Sequence, residues 1–126
     1  MDKKEYAMEL KHNGHNCCQA VLCAFAEETG LPPETLKRIG AGFGLGLGCT
    51  EGNCGALCAA EILLGLKKYE GRSVSAQAKE IHAKFREMCG STICRDLRGE
   101  DTGVVLCQCD DCVRNAVEIT VDKIFC

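Results

Sequence analysis

The stretch C54-G-A-L-C-A-A-E-I-L-L-G-L-K-K-Y69 decides what kind of fold this chain adopts. Ala56, Leu57, Ala59, Ala60, Ile62, Leu63, Leu64 and Leu66 place apolar groups on nearly every side of a 3.6-residue period. A helix apolar all round has to be enclosed by its neighbours, so this one is the predicted centre of the core. Asn53 precedes it as an expected N-cap, which sets the predicted helix from Cys54 to about Tyr69. Ala56 to Leu66 is too short, and too interrupted by Glu61, to span a bilayer.

Helical signals continue on both sides. Upstream, Lys3 to Lys11 reads as a helix ended by Asn13-Gly14. Asn16 then caps a second, with Cys18, Val21, Leu22 and Phe25 at i, i+3, i+4 and i+7, and Gly30 closing it. Pro33 suits the first turn of a short third helix running towards Ile39. Downstream, Ser75 to Met88 carries Ala78, Ile81, Phe85 and Met88 on one face and ends at Gly90. Ser91 is placed to cap a short turn containing Cys94, and Glu100 to Val105 reads as a loop. A last helix from about Asp111 to Phe125 buries Val113, Ala116, Val117, Thr120 and Ile124. No strand pattern rises beside these. The expected fold is all-α: residues 1–126 as a single compact, cysteine-rich bundle of about five to six helices, with a Gly-rich loop before the buried central helix.

That loop, G40-A-G-F-G-L-G-L-G48, invites a phosphate-binding reading, which fails on its own terms. No G-x-G-x-x-G register closes, since the last position falls on Leu45, Leu47, Cys49 or Glu51. No Gly-Lys-Ser/Thr occurs and no strand precedes the run. The glycines instead let the backbone before Cys54 approach other helix ends, so Gly48 to Gly55 is expected to wall a thiolate pocket.

Composition excludes several functions. A formal charge of −3 gives no footprint for nucleic acid or anionic membrane, and without tryptophan there is little to stack bases on. The charged start M-D-K-K-E-Y lacks the apolar core of a secretory signal, so a cytoplasmic location is expected.

Twelve cysteines in 126 residues are the anomaly. A disulfide scaffold belongs to smaller, loop-rich secreted chains, so metal ligation or redox chemistry outranks it here. The cysteines fall in a pattern. Cys17 follows Asn16, Cys54 follows Asn53, Cys94 comes three residues after Ser91, and Cys109 and Cys112 flank the start of the last helix. Each is expected in a first turn, where free N–H groups favour a thiolate and lower its pKa. Four such starts meeting would make a preorganised thiolate pocket. Cys18, Cys23 and Cys58 lie on apolar faces and read as packing residues. Cys49, Cys89, Cys107 and Cys126 carry no assignment. Cys109-Asp-Asp-Cys112 is a CxxC followed by Val113, not the histidine that c-type haem attachment requires, and no second CxxC completes a zinc ribbon. His15 is a candidate ligand whose plainer reading is an exposed loop residue. His12 and His82 read as solvent-facing, and Glu61 as an acid reaching solvent. Asp110, Asp111, Glu100 and Asp101 read as solvated capping and loop charges.

The stretches N16-C-C-Q-A-V-L, G42-F-G-L-G-L-G, C54-G-A-L-C-A-A, F85-R-E-M-C-G-S-T-I-C-R-D-L and C109-D-D-C-V-R-N-A resemble, in order and spacing, the redox-active protein family named for its C_GCAxxG_C_C pattern. The resemblance implies a small, mostly helical cytoplasmic protein of anaerobes, with a related domain in split-Soret cytochromes. It also implies a redox-active or iron–sulfur role. Carried over by position, the pattern selects Cys17, Cys54, Cys94 and one of Cys109 and Cys112, the same residues as the helix-start argument. The chain departs from the pattern at the last glycine of the central motif, where alanine stands at Ala59 and Ala60. Its cysteines also outnumber the pattern's, which leaves room for a larger or second site.

The resulting expectation is an iron–sulfur cluster, [2Fe-2S] or [4Fe-4S], held by Cys17, Cys54, Cys94 and Cys109 or Cys112, serving electron transfer or redox sensing. Its expected partner is a redox protein, with no nucleic acid or membrane and with room for a homodimer. One alternative is a metal-free dithiol–disulfide protein in which Cys54 attacks and a neighbour such as Cys94 resolves. Another is soft-metal (Cu or Zn) storage that also uses Cys18, Cys23 and Cys58. A helical interaction domain whose cysteines only pack is the plainest.

Overall fold

The computed structural model describes residues 2–125, so Cys126 lies outside the described residues. Among the described residues nine helical segments follow in order: α1 (Lys3–His12), α2 (Cys17–Ala24), α3 (Ala26–Thr29), α4 (Pro33–Gly40), α5 (Gly44–Leu47), α6 (Gly55–Lys68), α7 (Ser75–Cys89), α8 (Cys94–Arg98) and α9 (Cys109–Thr120). The last runs into a π-helical turn, Val121–Phe125. Among the described residues no strand forms, and one isolated bridge joins Asn53 to Ile93. The fold is all-α. No described helix is long and apolar enough to cross a membrane.

The central-helix reading holds for most of the helix, although Leu66 is exposed and Ile62 only partly buried. On α6, Ala56, Leu57, Ala59, Ala60, Leu63 and Leu64 are all buried. α2, α7 and α9 pack around it, α1 bridges α2 and α9, and α4 lies against α2. Leu22, Phe25, Leu36, Ile81, Phe85, Val113 and Ile124 complete the core. Phe25 stacks on Phe125 with centroids 5.0 Å apart. Cys18 and Cys23 sit in this core, surrounded by aliphatic groups as packing residues would be.

Several boundaries differ from the sequence reading. Cys54, not Asn53, is the N-cap of α6, because Asn53 is drawn into the bridge with Ile93. α2 ends at Ala24, and Gly30 closes the separate single turn of α3. α9 begins at Cys109, so the CxxC lies inside the helix instead of flanking its start. The glycine run is not a loose loop. Leu45, Gly46, Leu47 and Gly48 all take positive φ, between 55° and 81°, a left-handed turn. Such a turn costs about 1–2 kcal/mol per non-glycine residue, which is why glycine alternates with leucine there.

The start of α2 is pinned most firmly. Asn16 Oδ1 accepts from the Gln19 N–H at 2.8 Å, and the Asn16 N–H donates back to Gln19 Oε1 at 2.9 Å, a capping box. Asn16 Nδ2 also donates to the Gly40 carbonyl, and Gln19 Nε2 to that of Lys37, tying α2 to the end of α4. Asn16→Ala is expected to lower stability by about 1–2 kcal/mol, the cost of a lost cap plus one tertiary hydrogen bond. Urea denaturation of the metal-free protein measures this, and an unchanged midpoint would contradict it.

Candidate metal centre

Two short hydrogen-bonded seams bring helix starts together. The Cys54 N–H donates to the Thr92 carbonyl at 2.7 Å, and the Cys94 N–H to that of Gly52 at 3.0 Å. The Arg95 N–H donates to the Thr50 carbonyl at 2.8 Å. These bonds set the starts of α6 and α8 side by side. Glycines supply the clearance. A Cβ on Gly55 would stand 2.5 Å from Cys17 Sγ, and one on Gly46 2.5 Å from Cys94 Cβ. Across the site, Lys11 Nζ on α1 binds Asp110 at 2.7 Å and His12 Nε2 binds it at 3.2 Å, which anchors the first turn of α9.

The result is a cavity of about 240 Å³ lined by Cys17, Cys54, Cys94, Cys107, Cys109 and Cys112. All five residues expected as ligands line it, from four helix starts. Leu45 and Leu97 supply apolar wall, and Lys11 and Arg98 bring positive charge. The expected wall from Gly48 to Gly55 is displaced: Cys54 and Gly55 line the cavity, but Gly48 faces open space, and Leu45 from the left-handed turn takes its place. A larger surface depression of about 900 Å³ lies elsewhere, between charged side chains of α1 and α9, and holds Cys23 alone among the thiols.

Thiol contacts run continuously through the site. Cys17 is coupled to Cys109 and Cys54, Cys54 to Cys112, and Cys112 to Cys89 and Cys107. Eleven described cysteines are free thiols. Cys54 is held down to about 5 by hydrogen bonds from Cys112 and Cys17, against burial and with help from the Ala56 and Leu57 N–H groups of its own helix start. Cys89 is held down to about 6, first by Cys112 and then by Asn115. Cys112, whose Sγ donates to the Cys107 carbonyl at 3.8 Å, is pushed far up by its coupling to Cys54, then to Cys89, and by burial.

The expectation that every helix-start cysteine has a lowered pKa is therefore corrected. Cys109 is raised by its hydrogen bond to Cys17 and by burial. For Cys17 the bond from Cys109 lowers the pKa, but the bond to Cys54 and burial outweigh it. Cys94 is raised by burial despite Arg98. When thiols crowd together, one thiolate is stabilised by the protons its neighbours keep, and this exceeds the pull of a helix end.

Two residues escaped the sequence reading. Cys107 lies in the loop before α9 and lines the cavity. Cys89 is the last residue of α7, where no capping or spacing signal marks it. His15 is not an exposed loop residue: it is half-buried, lines the cavity, and its Nδ1 is buried without a hydrogen-bond partner. Glu61 is half-buried, with burial raising its carboxyl pKa and His82 opposing this. Cys49 is exposed, its Sγ 3.7 Å from the Gly46 carbonyl. Cys58 is half-buried, its thiol pushed up to about 11 by burial, and does not line the cavity.

A comparison with protein families matches residues 15–123 to the family described as "Putative redox-active protein (C_GCAxxG_C_C)". The chain belongs to this family. Comparisons with curated proteins and with solved structures found no match. Family membership and the thiol geometry agree on a redox-active protein with a cysteine group able to hold a metal.

Proposed function

We propose that this family member is a single-domain cytoplasmic electron-transfer or redox-sensing protein whose cavity binds an iron–sulfur cluster through Cys17, Cys54, Cys94 and Cys109. The observation that carries this reading is the meeting of cysteines from four helix starts in one cavity of about 240 Å³. The donor set fits the group: thiolates are the ligands iron–sulfur clusters take, four at a time. The space fits as well, equal to about eight water molecules at ~30 Å³ each. His15 Nδ1, buried beside the cavity without a partner, is further support for an additional occupant. When bound, such a cluster supplies reversible one-electron transfer.

The chain's own residues do the rest. The Ala56 and Leu57 N–H groups of the α6 start help to stabilise negative charge on Cys54, an effect that raises reduction potential. Leu45 and Leu97 limit water, and Lys11 and Arg98 offset the charge of four thiolates. The partner is a redox protein, not nucleic acid or membrane, in keeping with the net charge of −3. Protein reconstituted anaerobically with iron and sulfide is expected to hold both in stoichiometric amounts and to show visible charge-transfer absorption. Their absence from the wild-type chain would sink the proposal.

One observation favours a second reading. Cys54, the thiolate of the set, is in hydrogen-bond contact with Cys17 and Cys112 rather than with Cys94. A dithiol–disulfide cycle would pair Cys54 with one of those two, exchanging with a disulfide co-substrate. Reversible loss of two thiols in metal-free protein after mild disulfide treatment supports it; loss at Cys54 and Cys94 would not.

A further inference from the structure

Three sulfurs cluster at the far end of the thiol chain, where Cys107 and Cys112 also line the cavity. The Sγ atoms of Cys89, Cys107 and Cys112 all lie within 4.8 Å of one another. They come from the end of α7, the loop before α9 and the fourth residue of α9. Cys89 does not line the cavity, and Cys17, Cys54, Cys94 and Cys109 are not in the triad. We propose that Cys89, Cys107 and Cys112 form a second metal site, which takes a single soft d10 cation of the zinc(II) and copper(I) class.

Four observations carry the proposal. The ligands are all sulfur, the donor type that selects soft cations. A metal about 2.3 Å from each sulfur sets them about 4 Å apart, so the observed spacing closes with a small side-chain shift. The triad is enclosed, with Cys89 3% and Cys112 1% exposed, yet a groove over Cys107 and Asn115 gives access from solvent. Asn115 Nδ2 donates to Cys89 Sγ at 3.3 Å, an outer partner of the kind that orients a metal ligand and stabilises its charge. The site leaves Cys109 as the fourth cavity thiolate and does not depend on the cluster reading.

The test measures zinc and iron on the same samples. Anaerobically reconstituted wild-type protein is given excess zinc, passed through a desalting column and analysed for both metals. One zinc per chain is expected to remain beside the iron. Cys89→Ser and, at a less buried position, Cys107→Ser should each weaken zinc binding at least about a hundredfold in chelator competition. Circular dichroism checks that each variant folds, and Cys89→Ser should keep its iron. Cys17→Ser with Cys94→Ser should lose iron and keep the zinc. Wild-type protein that retains no zinc, a folded Cys89→Ser or Cys107→Ser chain that binds zinc as tightly as wild type, or zinc lost together with iron in the Cys17/Cys94 variant would each overturn the site. Absence of iron from every sample, with zinc still dependent on Cys89 and Cys107, would instead count against the cluster alone.

Discussion

Cys54→Ser removes the iron and leaves the helices in place. Cys54 stands beside both Cys17 and Cys112, so with Cys112 it joins the two ends of the thiol chain. It is also the N-cap of α6. Serine is among the best residues at that position, so the substitution suits the helix start while losing the soft ligand. Iron and acid-labile sulfide after reconstitution are expected to fall more than about tenfold, with the far-ultraviolet spectrum unchanged. Cys18→Ala is the contrast. Cys18 is fully buried in the core and does not line the cavity, so the variant should keep its iron and lose about 1 kcal/mol of stability. Equal iron in the Cys54→Ser and wild-type proteins would remove Cys54 from the ligand set. Iron lost with Cys18 would favour the storage reading.

The second large effect reverses an ordinary rule. Alanine is favoured over glycine in a helix by about 1 kcal/mol, and α6 contains both Gly55 and Gly65. At Gly65 a Cβ would meet nothing within 4 Å, so Gly65→Ala is expected to stabilise the protein by about 0.5–1 kcal/mol. At Gly55 the same Cβ would stand 2.5 Å from Cys17 Sγ and 2.7 Å from the Phe43 carbonyl oxygen. Overpacking of this kind costs about 1–3 kcal/mol, and the carbonyl, being backbone, cannot swing away. Gly55→Ala should therefore destabilise by a net ~1–2 kcal/mol and also lower metal content, since it displaces Cys17. Thermal unfolding and iron analysis on the pair of variants measure both effects. Stabilisation at both positions would mean that α2 and α6 do not approach as closely as described.

Both results bear on how far the site is visible in the chain. Asn16, Pro33 and Gly90 mark helix ends through local chemistry, and the helices stop close to where these residues stand. The apolar faces of α6 and α9 are equally local, because a 3.6-residue period is a property of a dozen neighbours in sequence. Asn53 shows the limit. Its side chain suits a cap, yet the pairing with Ile93, forty residues away, takes it and hands the cap to Cys54. The left-handed turn at Leu45 to Gly48 is similar: alternating glycines permit it, but contacts across the chain select it, with Gly46 held against Gly52 and Cys94.

The sequence by itself thus determined that this protein is all helix, that Ala56 to Leu64 lies at its centre, and that four cysteines begin helices. Those features depend on backbone periodicity and capping within a few residues. Which thiols meet was decided only by the tertiary structure, because α7, packed against α9, carries Cys89 to Cys112. So was the charge state of each thiol. The coupling of two thiols depends on their separation in space, and the Cys54 pKa is lowered because Cys112 and Cys17 stand beside it.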